Sequence, residues 1–405
     1  MPIASPLPDF QFTDLDRFPE LPEHAHTLTE FRRYLHQHPE LGWHEVQTGR
    51  LVAQTLKTHG LQVQTSVGKT GLWVDIQGHT GGKTIGFRAD MDALPIQDAK
   101  QTSYASRHKG KAHLCGHDVH TTVALGTALA LHQKRDQFSG KVRVFFQPNE
   151  EGSPSGAPLM IRDGVLDGLD AALAFHVDPT LPAGQFGVRE GASTAACDIF
   201  RITIRGERTG HSARPHETID TVWVLSQVLN HLYQMIGRIN DARNPAILTV
   251  CQIQGGDAVN VIPQSVSFGG TLRVTDQQDR LKLRHHFIQI IEQVCGWYDA
   301  IPEIDFTFGA PAVQNDALLN AAAERVIVNL FGETALYRVP RTSMGAEDFA
   351  HYGDYLPISL IRLGTGSTPA TQFPLHDARF DVDERAIPMG IKLADTLIRD
   401  LLITS

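Results

Sequence analysis

Two adjacent glutamates in the segment FFQPNEEGS stand where a reacting centre could form. Glu150 and Glu151 follow an apolar run that ends at Pro148. Adjacent carboxylates repel one another, so they are either a solvated surface pair or a pair that nearby cations make useful. Asp92 and His176 also follow apolar runs. In an open α/β sheet the carboxyl ends of the strands line the ligand-binding crevice, so these side chains can converge in space.

A cysteine and a histidine have the spacing of metal ligands. The segment HLCGHDVHTT places Cys115 and His117 two residues apart at the start of a predicted helix. A thiolate and an imidazole at this spacing can bind one metal ion or a close pair, and Gly116 between them relieves the crowding. For an isolated cysteine or histidine, a packed or exposed residue is the ordinary interpretation. His376 in FPLHDARFDVDE is weak evidence when it is taken alone.

Length and composition indicate a globular protein of more than one domain. The chain has 405 residues, which exceeds the size at which a single core usually stops growing. A hydrophobic content of 41%, a charged content of 20% and a net charge of -9 give no indication of a nucleic-acid or membrane partner. No apolar run approaches the roughly 20 residues of a membrane helix, and no secretory leader is recognisable. Four cysteines without paired spacing argue against a disulfide framework. We therefore expect a cytoplasmic protein.

Helices and short apolar strands alternate in the first part of the chain. Helices are predicted over HTLTEFRRYLHQHPEL, over GRLVAQTLKTHG and from about Val119 to Lys134, and strands over LQVQTSV, TGLWVDIQG, KTIGFRAD, KVRVFFQ and LDAALAFH. This alternation predicts a three-layer α/β domain with a largely parallel sheet.

The pattern changes beyond about residue 190. Predicted strands at DIFRITIRGE, AILTVCQIQGG, SVSFGGTLRV and PEIDFTFG enclose helices over 216–238 and 277–295. The order strand, helix, strand, strand, helix, strand is typical of a ferredoxin-like α+β domain. We therefore predict a catalytic domain formed by 1–190 and 310–405, interrupted by an inserted lid or dimerisation domain over 191–309. A single irregular domain is the alternative.

Ten segments, in order, resemble the M20 metallopeptidases, and specifically their amidohydrolase branch of aminoacylases, hippurate hydrolases and indole-acetyl-amino-acid hydrolases. The segments are FRRYLHQHPELGWHE, DMDALPI, CGHDVHTT, QPNEEG, MIRDGVLDGLDAALAFHV, GHSARPH, NVIP, GTLR, GAEDF and LHDARFDVDE. The resemblance covers almost the whole chain. It implies a di-metal catalytic domain and a ferredoxin-like insert that commonly mediates dimerisation, so a homodimer or a dimer-based oligomer is expected.

The resemblance also implies a role for each matching residue of the first domain. The implied metal ligands, with a thiolate able to bridge two ions, are Cys115, His117, Glu151, His176 and His376. Glu150 would be the general base and acid. Asp92 would orient a ligand, whereas Asp90 replaces a ligand histidine of related branches and is left out of the ligand set.

Three residues of the predicted insert match substrate-binding positions of the family. His211 in GHSARPH, Asn260 in NVIP and Arg273 in GTLR would bind the substrate or the developing oxyanion. The histidine could act in its own subunit or across a dimer interface. Ala346 in MGAEDF stands where many relatives have serine, which affects a pocket wall at most.

The implied activity is metal-dependent hydrolysis of the amide bond of an N-acyl amino acid or a small amino-acid conjugate. Two divalent ions would lower the pKa of a bound water from about 15.7 to near 7, and Glu150 would take its proton. Sulfur, nitrogen and oxygen ligands suit zinc and also admit manganese, cobalt or nickel. A dipeptidase or carboxypeptidase of the same fold is the runner-up. A metal-storing protein would need a closed coordination shell without a spare carboxylate, and no G-x-S-x-G segment indicates a serine esterase.

Overall fold

The computed structural model describes residues 7–12 and 22–403, which divide into two compact units. The first unit contains 7–12, 22–191, 314–340 and 348–403, and the second contains 192–313 and 341–347. Among the described residues, no helix has the length and apolar character that crossing a membrane requires.

The helices and strands that apolar spacing predicts are present in the predicted order, and the structure adds further elements between them. The first unit begins with α1 Pro22–Gln37, α2 Val46–Thr58, β1 Val63–Val67, β2 Gly71–Gln77, β3 His79–Asp90, α3 His117–Gln133, β4 Ser139–Gln147, α4 Ala157–Arg162, β5 Ala171–Asp178, β6 Phe186–Val188 and, at the boundary, β7 Gly191–Ala192. The second unit contains β8 Ala196–Arg205, β9 Gly210–His211, α5 Thr221–Ile239, β10 Ala246–Gln254, β11 Val261–Ile262, β12 Ser265–Val274, α6 Gln277–Gly296 and β13 Ile301–Thr307. The first unit resumes with β14 Gln314–Asn315, α7 Ala317–Phe331, β15 Leu336–Arg338, β16 Ile358–Gly364 and α8 Ala386–Ile403.

A mixed sheet forms the centre of the first unit. Its strands are ordered β1-β2-β4-β3-β5-β16-β14-β7, and β15 and β6 pair beside β16. β3 runs parallel to β4 and β5, and β16 runs parallel to β5 and β14. β1 and β2 are antiparallel, because a short turn can join two strands only as a hairpin. The predicted three-layer α/β fold with a largely parallel sheet is confirmed.

The strand register brings the predicted strand ends to one edge of this sheet. Asp90 on β3 pairs with Gln147 on β4, and Arg88 pairs with Ala174 on β5. The carboxyl ends of β3, β4 and β5 therefore lie side by side, and we call this the carboxyl edge. α3 packs against β3 and α8 and is buried from His117 to Leu131, so its polar first turn is enclosed together with its apolar remainder.

The second unit has the ferredoxin-like order of elements. β8, α5, β10, β12, α6 and β13 follow one another, and the sheet is ordered β10-β12-β8-β13 with antiparallel neighbours. α5 and α6 pack together over a core that contains Phe200, Leu232 and Phe287. α5 begins at Thr221, later than residue 216, because the Asp220 carboxylate accepts a hydrogen bond from a backbone N–H of the first turn and fixes the start of the helix there. The predicted ferredoxin-like architecture is confirmed.

Candidate metal centre

A tight turn before α3 brings two of the predicted ligands together. α3 begins at His117, two residues before the start that its apolar spacing predicts, and Gly116 precedes it with a φ of 85°. A Cβ at Gly116 would lie 2.4 Å from Cγ2 of Val177, so both the backbone angle and the available space require glycine. The Cys115 side chain consequently lies beside the first residue of α3 and faces the end of β5.

The predicted ligand atoms cluster at the carboxyl edge in two groups that share a thiol. Cys115, His117 and His176 offer donor atoms within 4.8 Å of one another, and Cys115 forms a second such group with Glu151 and His376. Cys115 Sγ lies 3.6 Å from His176 Nε2, and His376 Nε2 lies 3.0 Å from Glu151 Oε1. Because both groups use the same sulfur, Cys115 would be within reach of a cation held by either group.

The chemistry of these donors fits divalent metal ions. His117 is 1% exposed, yet neither of its ring nitrogens forms a hydrogen bond with another described residue. Buried polar atoms are nearly always hydrogen-bonded. The carboxylates of Asp92 and Asp90 approach the ring nitrogens of His117 at 3.3 and 3.7 Å without forming hydrogen bonds, so these nitrogens are available to a cation. One sulfur with imidazole nitrogens and a carboxylate is a donor set that suits zinc and neighbouring transition metals.

Two further polar residues near His117, His120 and Asp90, are hydrogen-bonded to each other and to other residues. His120 donates from Nδ1 to Asp90 Oδ1 at 2.7 Å, and its Nε2 accepts the Val177 N–H at 2.9 Å. The other oxygen of Asp90 accepts a hydrogen bond from Arg88 at 2.7 Å. Both ring nitrogens of His120 and both oxygens of Asp90 are thus engaged, which agrees with leaving Asp90 out of the ligand set.

Asp92 holds the backbone of the glutamate pair. Its Oδ1 accepts the N–H of Glu150 and its Oδ2 accepts the N–H of Glu151, each at 3.0 Å. Asp92 Oδ1 also lies 3.3 Å from His117 Nδ1. This buried carboxylate therefore contacts both glutamates and the imidazole, as expected of a residue that orients ligands.

A buried network missed by the sequence analysis supports the same edge. Asp348 accepts hydrogen bonds from Arg88 and Gln147, each at 2.7 Å, and from the N–H of Ala157 at 3.1 Å. The N–H of Asp348 in turn lies 3.4 Å from Glu150 Oε1. The GAEDF segment contributed to the family resemblance, but no periodicity or spacing marked Asp348 as part of the site.

The electrostatics of the cluster depend on burial. Burial and the neighbouring His120 lower the pKa of His176 to about 3, so this imidazole is neutral as a ligand must be. Burial also raises the pKa of the Cys115 thiol well above its usual range, so a nearby cation is needed to keep a thiolate there. For Glu151, burial acts to raise the pKa, but the hydrogen bond with His376 and the positive charges of His117 and His376 together lower the pKa overall.

The remaining predicted site residues lie in the second unit. His211 is exposed on β9 and Asn260 is exposed beside it, where its carbonyl accepts the Ser212 N–H at 3.1 Å. Arg273 is half-buried on β12 and donates to the carbonyl of Met344 at 2.8 Å. The proposed contacts of these residues with substrate stay predictions.

Several known proteins are similar in sequence to this chain over most of its length. A probable hydrolase of Synechocystis is 44% identical over 366 residues, which cover 90% of this chain and 93% of that protein. The N-acetyl-L-cysteine deacetylase of Bacillus subtilis is 36% identical over 89% of this chain and 84% of its own length. Thermostable carboxypeptidase 2 of Saccharolobus solfataricus is 34% identical over 90% of this chain and 92% of its own length.

A solved structure and a family model lead to the same classification. A dinuclear metal-binding peptidase of family M20 from Bacillus subtilis superposes with a TM-score of 0.83 at 32% identity, covering 94% of this chain and 99% of that one. The model of peptidase family M20/M25/M40 matches residues 86–400, which contain every predicted ligand and the predicted base. With its paired donor groups at the carboxyl edge of the sheet, the chain belongs to peptidase family M20/M25/M40.

Proposed function

We propose that this protein hydrolyses the amide bond of N-acyl amino acids or small amino-acid conjugates. The observation that carries the proposal is a cluster of sulfur, nitrogen and oxygen donors, buried at Cys115 and His117 and exposed at His376, with a second glutamate directly beside it. A structural metal site would need no further acid, whereas hydrolysis needs a group that moves a proton. The similarity to a deacetylase of N-acetyl-L-cysteine supports an acylated amino acid as the substrate.

Two divalent ions fit between the donor groups. The residues that would hold them are Cys115, His117, Glu151, His176 and His376. When bound, such ions supply Lewis acidity and lower the pKa of a coordinated water from about 15.7 to near 7. Zinc, manganese, cobalt and nickel are all compatible with this mixed donor set.

Glu150 is proposed as the general base and acid. Its backbone is held by Asp92, and its Oε1 lies 3.4 Å from the N–H of Asp348. A half-buried carboxylate at a strand end, beside the metal ligands, can accept a proton from the attacking water and deliver it to the leaving amine.

Separate substitutions of the two glutamates test these roles. Glu150→Gln should bind metal normally and lose about 100- to 10,000-fold in kcat, the range typical of a general acid–base group. Glu151→Gln, which is isosteric at the neighbouring position, should instead lose bound metal. Turnover of N-acetyl and N-benzoyl amino acids by each variant, with metal content measured by mass spectrometry, distinguishes the two losses. Normal turnover by fully metallated Glu150→Gln would disprove the assignment.

A carboxypeptidase activity is the second candidate, because one relative at 34% identity is a thermostable carboxypeptidase. Cleavage of a peptide bond and of an N-acyl bond uses the same attacking water and the same proton shuttle, so the metal centre does not separate the two. Side-by-side kcat/KM values for N-acyl amino acids, dipeptides and N-blocked dipeptides do separate them. A higher value for the peptides would replace the proposed substrate class.

The second unit is the proposed dimerisation surface. Trp223 is 47% exposed and Tyr233 is 49% exposed on α5, while Ile247 and Ile253 are exposed on β10 at the edge of the four-stranded sheet. An edge strand beside exposed aromatic side chains is typical of surfaces that another chain covers. Light scattering should therefore give the mass of a dimer, and Trp223→Glu should shift that mass towards the monomer. The cytoplasmic location stays a prediction.

A further inference from the structure

A buried glutamate from the first part of the chain reaches the loop that carries the glutamate pair. Glu45 immediately precedes α2 and has 0% exposure. Its Oε1 accepts the backbone N–H of Asn149 at 2.8 Å, and its Oε2 accepts the hydroxyl of Thr70 at 2.7 Å. Asn149 is the residue directly before Glu150, so this carboxylate contacts the active loop through the backbone.

The contacted residue has a left-handed backbone conformation. Asn149 has a φ of 50°, in the left-handed region that most residues avoid. Its side chain donates to the carbonyl of Pro154 at 2.8 Å and packs closely on Gly42, where a Cβ would lie 1.8 Å from Asn149 Oδ1. The segment around Gly42 and Glu45 thus fits against a backbone turn that redirects the chain before the glutamate pair.

Glu45 and Asp92 together bind three successive backbone N–H groups. Glu45 receives the N–H of Asn149, and the two oxygens of Asp92 receive those of Glu150 and Glu151. Both carboxyl groups are buried, so little water competes for these hydrogen bonds. The orientation of three consecutive peptide groups is therefore fixed, and with it the directions in which both glutamate side chains leave the backbone.

The carboxylate of Glu45 is not used to cap the helix that it precedes. Its side chain makes no capping hydrogen bond to α2. Glu40 does this instead, because its carboxylate accepts the N–H groups of Gln47 at 3.2 Å and Thr48 at 2.8 Å. Two acids five residues apart therefore differ in function: one stabilises the start of α2, and the other reaches the loop at Asn149.

The ionised form of Glu45 is destabilised at this buried position. Burial, assisted by the negative charge of Asp92 and opposed by the hydrogen bond from Thr70, raises the pKa of Glu45 to about 7. Carboxyl groups with strongly perturbed pKa values cluster at functional sites, which agrees with the contact between Glu45 and the loop of the glutamate pair.

We propose that Glu45 is a positioning residue for the reaction, which acts by holding the Asn149 peptide so that Glu150 and Glu151 face their partners. The inference rests on the proposed function, because it assigns no chemistry to Glu45 itself. Loss of this contact should let the loop relax from its left-handed turn. The metal ligand and the proton shuttle would then lose their alignment together, while the fold of the sheet stays intact.

The test compares Glu45→Ala and Glu45→Gln with the matched control Glu40→Ala, all as full-length, metal-loaded protein. Glu45→Ala should lower kcat by about 10- to 100-fold, the range seen when the groups that support a metal site are removed, with a smaller effect on KM. Glu45→Gln should recover most of this loss, since its amide oxygen can still accept the Asn149 N–H. Glu40→Ala should reduce thermal stability without changing kcat.

Hydrogen exchange in the metal-free proteins provides a readout that does not depend on activity. The peptide over 147–152 should exchange faster in Glu45→Ala than in Glu40→Ala or the wild type. Unchanged exchange of this peptide in Glu45→Ala would overturn the inference, and so would a loss of kcat that parallels stability equally in both alanine variants. Full metal content in Glu151→Gln would instead disprove the proposed ligand set and would leave the exchange result for Glu45 standing.

Discussion

Replacing Asp92 with asparagine separates the orientation of the glutamate pair from its chemistry. Each oxygen of Asp92 accepts one backbone N–H at 3.0 Å, from Glu150 and from Glu151. Asparagine has the same shape but only one acceptor oxygen. Its amide NH₂ would therefore face a backbone N–H, so one hydrogen bond is lost and two donors are placed against each other inside a buried site.

The magnitude follows from the loss of one hydrogen bond to a charged acceptor. Such a bond contributes about 1.5–3 kcal/mol. If the whole loss appears in the alignment of the transition state, it corresponds to a fall of about 10- to 150-fold in kcat/KM, at 1.36 kcal/mol per tenfold. The estimate agrees with the roughly 10- to 100-fold effect of removing groups that orient metal ligands.

The assay is steady-state hydrolysis of an N-acetyl amino acid by Asp92→Asn, with metal content measured on the same sample. Asp316→Asn is the matched control. Asp316 also receives two consecutive N–H groups, those of Leu318 and Leu319, but a single oxygen, Oδ1, accepts both. Asparagine keeps that oxygen, so the control should retain its stability and its activity. Wild-type kcat/KM in fully metallated Asp92→Asn would refute the argument.

Three further substitutions test the support of the same edge. Asp118→Asn removes a carboxylate 2.7 Å from the fully buried Arg32, which should lower the free energy of unfolding by about 3 kcal/mol in urea titrations; an unchanged midpoint contradicts this. Gly116→Ala places a Cβ 2.4 Å from Val177 at a φ of 85° and should weaken metal binding by about tenfold in calorimetric titrations, which normal affinity would exclude. Burial lowers the pKa of His113 to about 3, so the unfolded chain binds more protons between pH 3 and 6.5 and stability falls as the pH falls through that window, by about 5 kcal/mol at most. His113→Leu should flatten this dependence in pH-resolved unfolding curves.

Apolar periodicity predicts the strands and where they end. The carboxyl ends of the strands in turn predict where the site lies. The run KVRVFFQ became β4, Ser139–Gln147, and LDAALAFH became β5, Ala171–Asp178. Because parallel strands share the direction of their carboxyl ends, Glu150, Glu151 and His176 could be expected at one edge before any pairing was known. The β-α-β-β-α-β order of the second unit could also be predicted, because apolar residues recur at a different spacing in strands than in helices.

Periodicity contains no information about loops or about long-range polar contacts. Asn149 and His376 have left-handed conformations, which asparagine and histidine adopt more often than most residues, but the residue type alone does not show where such a turn occurs. Arg88 is almost fully buried because Asp348, 260 positions away, pairs with it, and a charged residue in a strand normally predicts an exposed position. The burial of Glu45 likewise depends on a loop more than 100 residues later.

The contacts of the two adjacent glutamates support different roles for them. Glu151 Oε1 lies 3.0 Å from His376 Nε2, within the donor group that includes Cys115, whereas Glu150 Oε1 lies 3.4 Å from the N–H of Asp348. The two side chains thus leave the loop towards separate partners, because their peptide groups are held by separate oxygens of Asp92. Donor oxygens of Glu150 and Glu151 also lie within 4.8 Å of each other and of His117, so it is these separate contacts that distinguish the two acids. The two hydrogen bonds to Asp92 therefore support the proposal that these chemically identical neighbours act as one ligand and one base.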